Sequence, residues 1–282
     1  MSKLRELMSL ARPFLTMQLR VREFFLKRGM IKVLIYHHIP ENQQALFAKQ
    51  IEMLQQHYEF ISPQEFENMV SNRHIPKGVR LLLTFDDGFQ SNRKVCEEVL
   101  NPLGIKVLFF VLPDLITANS KQAEHIIKTG IFNNNSYEFH SELKPMNQED
   151  IQYLIDSGHT IGSHTRTHQR LSKLDSQKLQ DEIITSGDEL EKMLAIKVRH
   201  FAYPFGSIQS INQEALQIAS RRYDYIHSGI RSSFKCLESH NIILRDEISP
   251  SYSWRYVRFI IENGLSFRYW NIRKKLKKMA AG

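Results

Sequence analysis

Leu81-Leu82-Leu83-Thr84-Phe85-Asp86-Asp87-Gly88 is the stretch on which the fold turns. A mostly apolar run, entered through Lys77-Gly78, passes into two adjacent acids and a glycine. Continuous apolar runs of this length between turn residues are the pattern of parallel strands buried on both faces. Asp86 and Asp87 therefore stand at the carboxyl end of a strand, where α/β folds bind ligands. Two neighbouring carboxylates repel each other, and that repulsion is costly unless a cation or a proton relieves it.

Downstream, Thr160-Ile161-Gly162 reads as a short strand leading into Ser163-His164-Thr165-Arg166-Thr167-His168. If that segment turns helically, its two histidines share one face. Two imidazoles and one carboxylate form a facial set that leaves coordination positions open for water and substrate. Structural zinc is normally closed by four protein ligands, so a three-ligand set points to catalysis.

Thr84-Phe85-Asp86-Asp87-Gly88 and His164-Thr165-Arg166-Thr167-His168 resemble the first two motifs of the polysaccharide deacetylases, the NodB-homology enzymes of carbohydrate esterase family 4. Phe201-Ala202-Tyr203-Pro204-Phe205-Gly206 resembles the third, and the resemblance spans about residues 31–250. It implies an α/β fold, a distorted (β/α) barrel of NodB-homology type. It also implies Asp87, His164 and His168 as ligands of a divalent metal ion. Asp86 is then the catalytic base, and the Phe205 backbone N–H faces the developing oxyanion. Tyr203 and Pro204 are expected beside the substrate. Many relatives carry arginine where this chain has Ala202, and there it steadies the base; here another group must orient Asp86.

The family's late motif, an apolar strand ending in the histidine that acts as general acid, has no good copy after His168. Ile243-Leu244-Arg245 places arginine there, and Arg245 is expected to touch substrate. Val33-Leu34-Ile35-Tyr36-His37 has the right form near the start of the chain. This order is similar to the circularly permuted branch that resembles poly-N-acetylglucosamine deacetylases. His37 is accordingly expected to protonate the leaving amine, with His38 beside it as an alternative acid and substrate contact.

The remaining chain alternates strands and helices, as a parallel sheet wrapped by helices requires. Ser62-Pro63-Gln64-Glu65 is a capping box with proline at the first helical position. Pro113 to Met146 breaks the alternation and reads as an insertion or long loop over the site. The expected organisation is an N-terminal amphipathic helical extension (1–29), a deacetylase domain (30–250) and a C-terminal helical basic extension (251–282). No apolar stretch approaches the ~20 residues that span a bilayer, and no secretory signal is legible. Cys96 and Cys236 form no disulfide framework, so a reduced cytoplasmic compartment is the simplest reading.

The net charge of +8 is concentrated at the ends. Arg268, Arg273, Lys274, Lys275, Lys277 and Lys278 stand beside Phe267, Tyr269 and Trp270, a composition suited to peripheral contact with the inner face of an anionic membrane. A basic excess that lies at the ends, with no accompanying motif, speaks against nucleic acid.

The expected activity is metal-dependent removal of an N-acetyl group from an N-acetylated sugar or glycan in surface-polysaccharide or lipid-linked glycan synthesis. The ion expected is zinc, with nickel, cobalt or iron also accepted by two nitrogens and an oxygen. The rival readings are a non-catalytic carbohydrate-binding module on the same fold and an amidase for another acyl amide.

Overall fold

Among the described residues the apolar runs become eight strands, every strand pairing parallel: β1 (Met30–Tyr36), β2 (Glu59–Phe60), β3 (Val79–Phe85), β4 (Leu108–Val111), β5 (Thr160–Ser163), β6 (His200–Ala202), β7 (Tyr225–Ser228) and β8 (Ile242–Glu247). The computed structural model describes residues 29–134, 142–233 and 242–281. β1 pairs with β3 on one side, Met30 opposite Val79 through Tyr36 opposite Phe85, and with β8 on the other, Val33 opposite Arg245. These pairings close a seven-stranded barrel of β1 and β3 to β8. The short β2 adds to the first half of β3, before β4 takes over that edge at Thr84.

Side-chain alternation along each strand decides what enters the barrel. Ile31 and Val33 of β1, Leu82 of β3, Tyr225 of β7 and Ile243 of β8 pack together inside. Leu108 and Phe110 of β4 meet Ala202 of β6 in a second interior group. The opposite parity, including Leu34, Tyr36, Leu81, Leu83, Phe85 and Phe109, faces outward into the larger core beneath the helices. The same alternation carries Thr84 and Asp86 of the β3 strand line, and Arg245 and Glu247 of β8, inward at the carboxyl end.

The capping box of Ser62 and Glu65 is present, with Pro63 opening the helix Pro63–Ser71. Of segment 113–146, read as an insertion or long loop, the described residues 113–134 are largely helical. They form helices Pro113–Thr117 and Ser120–Ile126, the latter prolonged by a π turn over Ile127–Ile131. Asn119 and Gln122 cap the second helix reciprocally, and Leu115, Ala123, Ile127 and Leu143 bury against Phe89 and Leu112. The short helices carry too few residues each to display a helical period, which hid them in the sequence.

Helices Trp254–Ile261 and Trp270–Ala281 follow β8 and bury Val257, Ile260, Ile261 and Leu276 in the main core. The N-terminal extension expected over 1–29 lies outside the described residues except for Gly29. No described helix is long and apolar enough to cross a membrane.

Candidate active site

β3 ends in a sharp reversal. The Asp86 N–H donates to the Tyr36 carbonyl oxygen, and Asp87 and Gly88 then take positive φ of 73° and 78°. Positive φ in a non-glycine residue is uncommon and clusters at functional sites. Thr165 (67°), His168 (62°) and Phe205 (61°) share it, so strained backbone is gathered where the three motifs meet.

The histidine segment is not helical; it is an irregular turn after β5. Its histidines share a direction through the left-handed residues Thr165 and His168 instead of a helical repeat. Glu182 pins the turn by accepting the N–H groups of Arg166 and Thr167, each at 3.0 Å. Arg166 spans Asp114 and Asp181, both at 2.8 Å.

The turn brings His164 and His168 to Asp87. Nε2 of His164 lies 3.6 Å from Asp87 Oδ1, and Nε2 of His168 lies 3.5 Å from it. Among the described residues these form a group of potential metal ligands with one donor atom from each within 4.8 Å of the others, all three buried. The other ring nitrogens explain why. His164 Nδ1 is 2.7 Å from the Ala202 carbonyl oxygen and His168 Nδ1 is 3.1 Å from that of Gly130. A carbonyl only accepts, so each Nδ1 carries the proton and each Nε2 offers its lone pair to the shared point. Burial, and His164 beside it, push the His168 imidazole down to about 4, which keeps it neutral and ligand-competent. Gly130 is required for this approach: a Cβ there would lie 2.5 Å from the Thr167 carbonyl oxygen and 3.3 Å from His168 Cβ.

Asp86 stands apart from the trio. Arg245 of β8 grips it in two parallel bonds, Nη1 to Oδ1 at 2.7 Å and Nη2 to Oδ2 at 2.8 Å. Arg245 also donates to Thr84 Oγ1 (3.1 Å) and the Ser228 carbonyl oxygen (3.1 Å), and its guanidinium lies 4.9 Å from the centre of the Phe110 ring. Burial alone would raise the Asp86 carboxyl, but Arg245, with His164 behind it, outweighs burial and holds it at about 2. Asp86 Oδ2 remains 4.0 Å from His164 Nε2, next to the shared point. Arg245, expected to touch substrate, is only 1 % exposed and is paired with Asp86, while it also forms part of the cavity lining above them. Asp86 is oriented by an arginine from β8, while small Ala202 packs on Leu108 and Phe110.

A cavity of about 630 Å³ opens over these groups at the carboxyl ends of the strands. His37, His38, Phe89, Phe132, Phe205 and Glu247 are in its wall. The His37 imidazole is 43 % exposed, with Nδ1 4.0 Å from Glu247. His38 is less open: its Nδ1 meets Ser91 Oγ at 2.8 Å, and burial lowers its pKa. Phe205 lines the cavity, its ring between His168 and the guanidinium of Arg170. Tyr203 and Pro204 depart from expectation. Both are buried, Tyr203 bonding inward to the Gly206 carbonyl oxygen at 3.2 Å, and neither lines the cavity. A larger cleft of about 810 Å³ lies at the amino ends of β1 and β3, lined by Gln55, Glu59, Lys77 and Arg80 among others, away from the ligand trio.

Below Arg245 the barrel axis stays polar. His227 and His200 are 3.0 Å apart, and His200 Nε2 is 2.9 Å from Glu67, which also pairs with Arg199. The sequence had no signal for this column or for the carbonyl of Gly130. For Arg245 a signal existed: an arginine two residues from Ile243 shares its inward parity.

A parallel seven-stranded barrel with an Asp-His-His trio and an ion-paired aspartate at its carboxyl face is the architecture of the NodB-type deacetylases. The fold matches Streptococcus pyogenes deacetylase PplD, solved in complex with acetate, at TM-score 0.66 and 22% identity over 83% of this chain and 99% of that one. IcaB from Ammonifex degensii matches at TM-score 0.61 and 24% identity, over 84% and 98% of the two chains. The family model for polysaccharide deacetylase matches residues 73–223, more than half of the chain. The chain belongs to the polysaccharide deacetylase family. YxkH of Bacillus subtilis (strain 168), described as a polysaccharide deacetylase, is 24% identical over 201 residues, which make up 69% of this chain and 62% of that protein.

Proposed function

We propose that the chain is a metal-dependent hydrolase that removes the acetyl group from an N-acetylated sugar of a surface polysaccharide or lipid-linked glycan. The observation that carries this reading is the division of labour between adjacent acids: Asp87 converges with two imidazoles, while Asp86 is held beside them by Arg245. A site that only stored a cation would not need the second, ion-paired acid, so the pairing favours an enzyme over a binding module.

Asp87 and the Nε2 atoms of His164 and His168 would hold the cation, zinc suiting this donor set best with nickel, cobalt or iron also acceptable. When bound, such a cation polarises the acetyl carbonyl and lowers the pKa of a water toward ~7. Asp86, kept ionised and aimed by Arg245, takes the proton from the attacking water. The Phe205 N–H stabilises the oxyanion, a contribution on the scale of ~3 kcal/mol for one fixed donor. His37, open at the cavity mouth, delivers a proton to the departing nitrogen.

Release of free amine from N-acetylglucosamine oligomers tests the reading. Activity is expected to vanish on chelation and return with added zinc. A fully metal-loaded protein that frees no amine from any N-acetylated sugar, yet hydrolyses other acyl amides, would transfer the chemistry to another substrate class. His37→Ala is expected to lower kcat by about 10²–10⁴-fold with KM little changed. A kcat near wild type in that variant, with loss in His38→Ala, would move the proton donor one residue along.

A further inference from the structure

The C-terminal helix Trp270–Ala281 and the turn before it, Ser266–Tyr269, present two different faces. One is docked. Leu276 is buried, Ile272 and Met279 pack against the main core, and Arg273 Nη1 donates to the carbonyl oxygens of Ser266 at 2.7 Å and Arg231 at 3.3 Å. The other face is open. Phe267 is 70 % exposed and Trp270 61 %, more than any other large apolar side chain among the described residues. Lys274, Lys275, Lys277 and Lys278 are exposed behind them, and Lys274 Nζ lies 5.7 Å from the centre of the Trp270 ring.

Charge follows the same division. Residues 251–282 contain eight Lys and Arg and a single carboxylate, Glu262, a net +7. Two projecting aromatic rings backed by a row of lysines match the interfacial pattern: apolar rings at the headgroup–acyl boundary, ammonium groups among phosphates. Both rings lie near the start of the helix and the lysines run on from them. A strand-tracking surface would interleave the rings with the charges so that successive bases stack. The helix is also too short and too charged to span a bilayer.

We propose that the exposed face of residues 266–281 docks this protein peripherally on an anionic lipid bilayer. Phe267 and Trp270 enter the headgroup region, and Lys274, Lys275, Lys277 and Lys278 lie against lipid phosphates. The proposal is independent of the reaction at the barrel mouth and stands or falls separately from it.

The test is co-sedimentation of the full chain with vesicles of equal parts phosphatidylcholine and phosphatidylglycerol, against vesicles of phosphatidylcholine alone. The chain has two tryptophans, Trp254 and Trp270, so Trp254→Phe makes Trp270 the sole reporter. Binding is expected to the anionic vesicles only, weakening with salt, with a blue shift of Trp270 emission. Each lysine near the surface contributes roughly fivefold to partitioning, so the quadruple variant Lys274→Glu, Lys275→Glu, Lys277→Glu and Lys278→Glu should lose at least ~100-fold. Phe267→Ser with Trp270→Ser should lose at least ~10-fold and abolish salt-resistant binding. All six side chains are exposed, so folding is expected to persist, as thermal unfolding would verify. Equal partitioning onto neutral vesicles, or unchanged binding in both variants, would overturn the proposal. So would a Trp270 shift seen with duplex DNA but not with vesicles, or a dimer in solution that the aromatic variant dissolves.

Discussion

Asp86→Asn will lower kcat for amide cleavage by about 10²–10⁴-fold, the usual worth of a positioned general base, while the protein keeps its full complement of bound cation. The two halves of this result belong together. Asparagine preserves shape and can still accept from Arg245, but it cannot take a proton. In the proposed site the cation would be held by Asp87, His164 and His168, whose donor atoms lie within 4.8 Å of one another without any help from Asp86. Elemental analysis beside single-turnover kinetics separates the two. Loss of metal in Asp86→Asn would make Asp86 a ligand, and wild-type kcat with metal retained would remove it from the chemistry. Asp87→Asn supplies the contrast, since it is expected to lose metal and activity together.

Arg245→Ala is expected to be the most damaging single change away from the metal ligands. It leaves the Asp86 carboxylate buried without its partner, and removing one member of a buried ion pair costs about 3–5 kcal/mol. For a domain of this size that corresponds to a Tm lower by roughly 6–20 °C. Function should suffer by a separate route. With Arg245 present the Asp86 carboxyl sits at about 2; without it, burial raises that pKa. A general base at Asp86 acts when deprotonated, so under the proposed mechanism the acid limb of the kcat/KM profile is expected to move to higher pH. Arg245→Lys distinguishes positioning from mere charge. A lysine keeps the cation but cannot make the two-pronged bond, so it should recover much of the stability and little of the rate. An unshifted pH profile in a folded Arg245→Ala protein would show that Asp86 is oriented by something else.

Much of the fold was readable because its signals are local. A buried parallel strand is a continuous apolar run, and the acids at its end fall at the face where such barrels bind ligands. The helix cap of Ser62 and Glu65 was legible for the same reason, since the two are neighbours in the chain. Reading failed where the geometry was neither periodic nor local. The His164–His168 segment has helical spacing but an irregular backbone, because left-handed residues achieve the same convergence. The segment after Pro113 looked like a loop because its helices are one to two turns long. Tyr203 and Pro204 stood inside a recognised motif, yet Tyr203 follows the outward parity of Phe201 into the core, while Phe205, past the strand end and at a φ of 61°, meets the cavity.

What the sequence determined by itself is the chemistry available: an acid pair at a strand end, two imidazoles at another, and a parallel sheet to hold them. What the tertiary structure decided is which groups those residues answer to. Arg245 and Asp86 are 159 positions apart, and they meet because β1 pairs with both β3 and β8 and so sets Asp86 and Arg245 on the same inner wall. The carbonyls of Gly130 and Ala202 aim the two imidazoles only because separate elements close around them. Backbone carbonyls carry no residue identity, and strand register is set by the closed barrel as a whole, so neither is written in any local stretch of the chain.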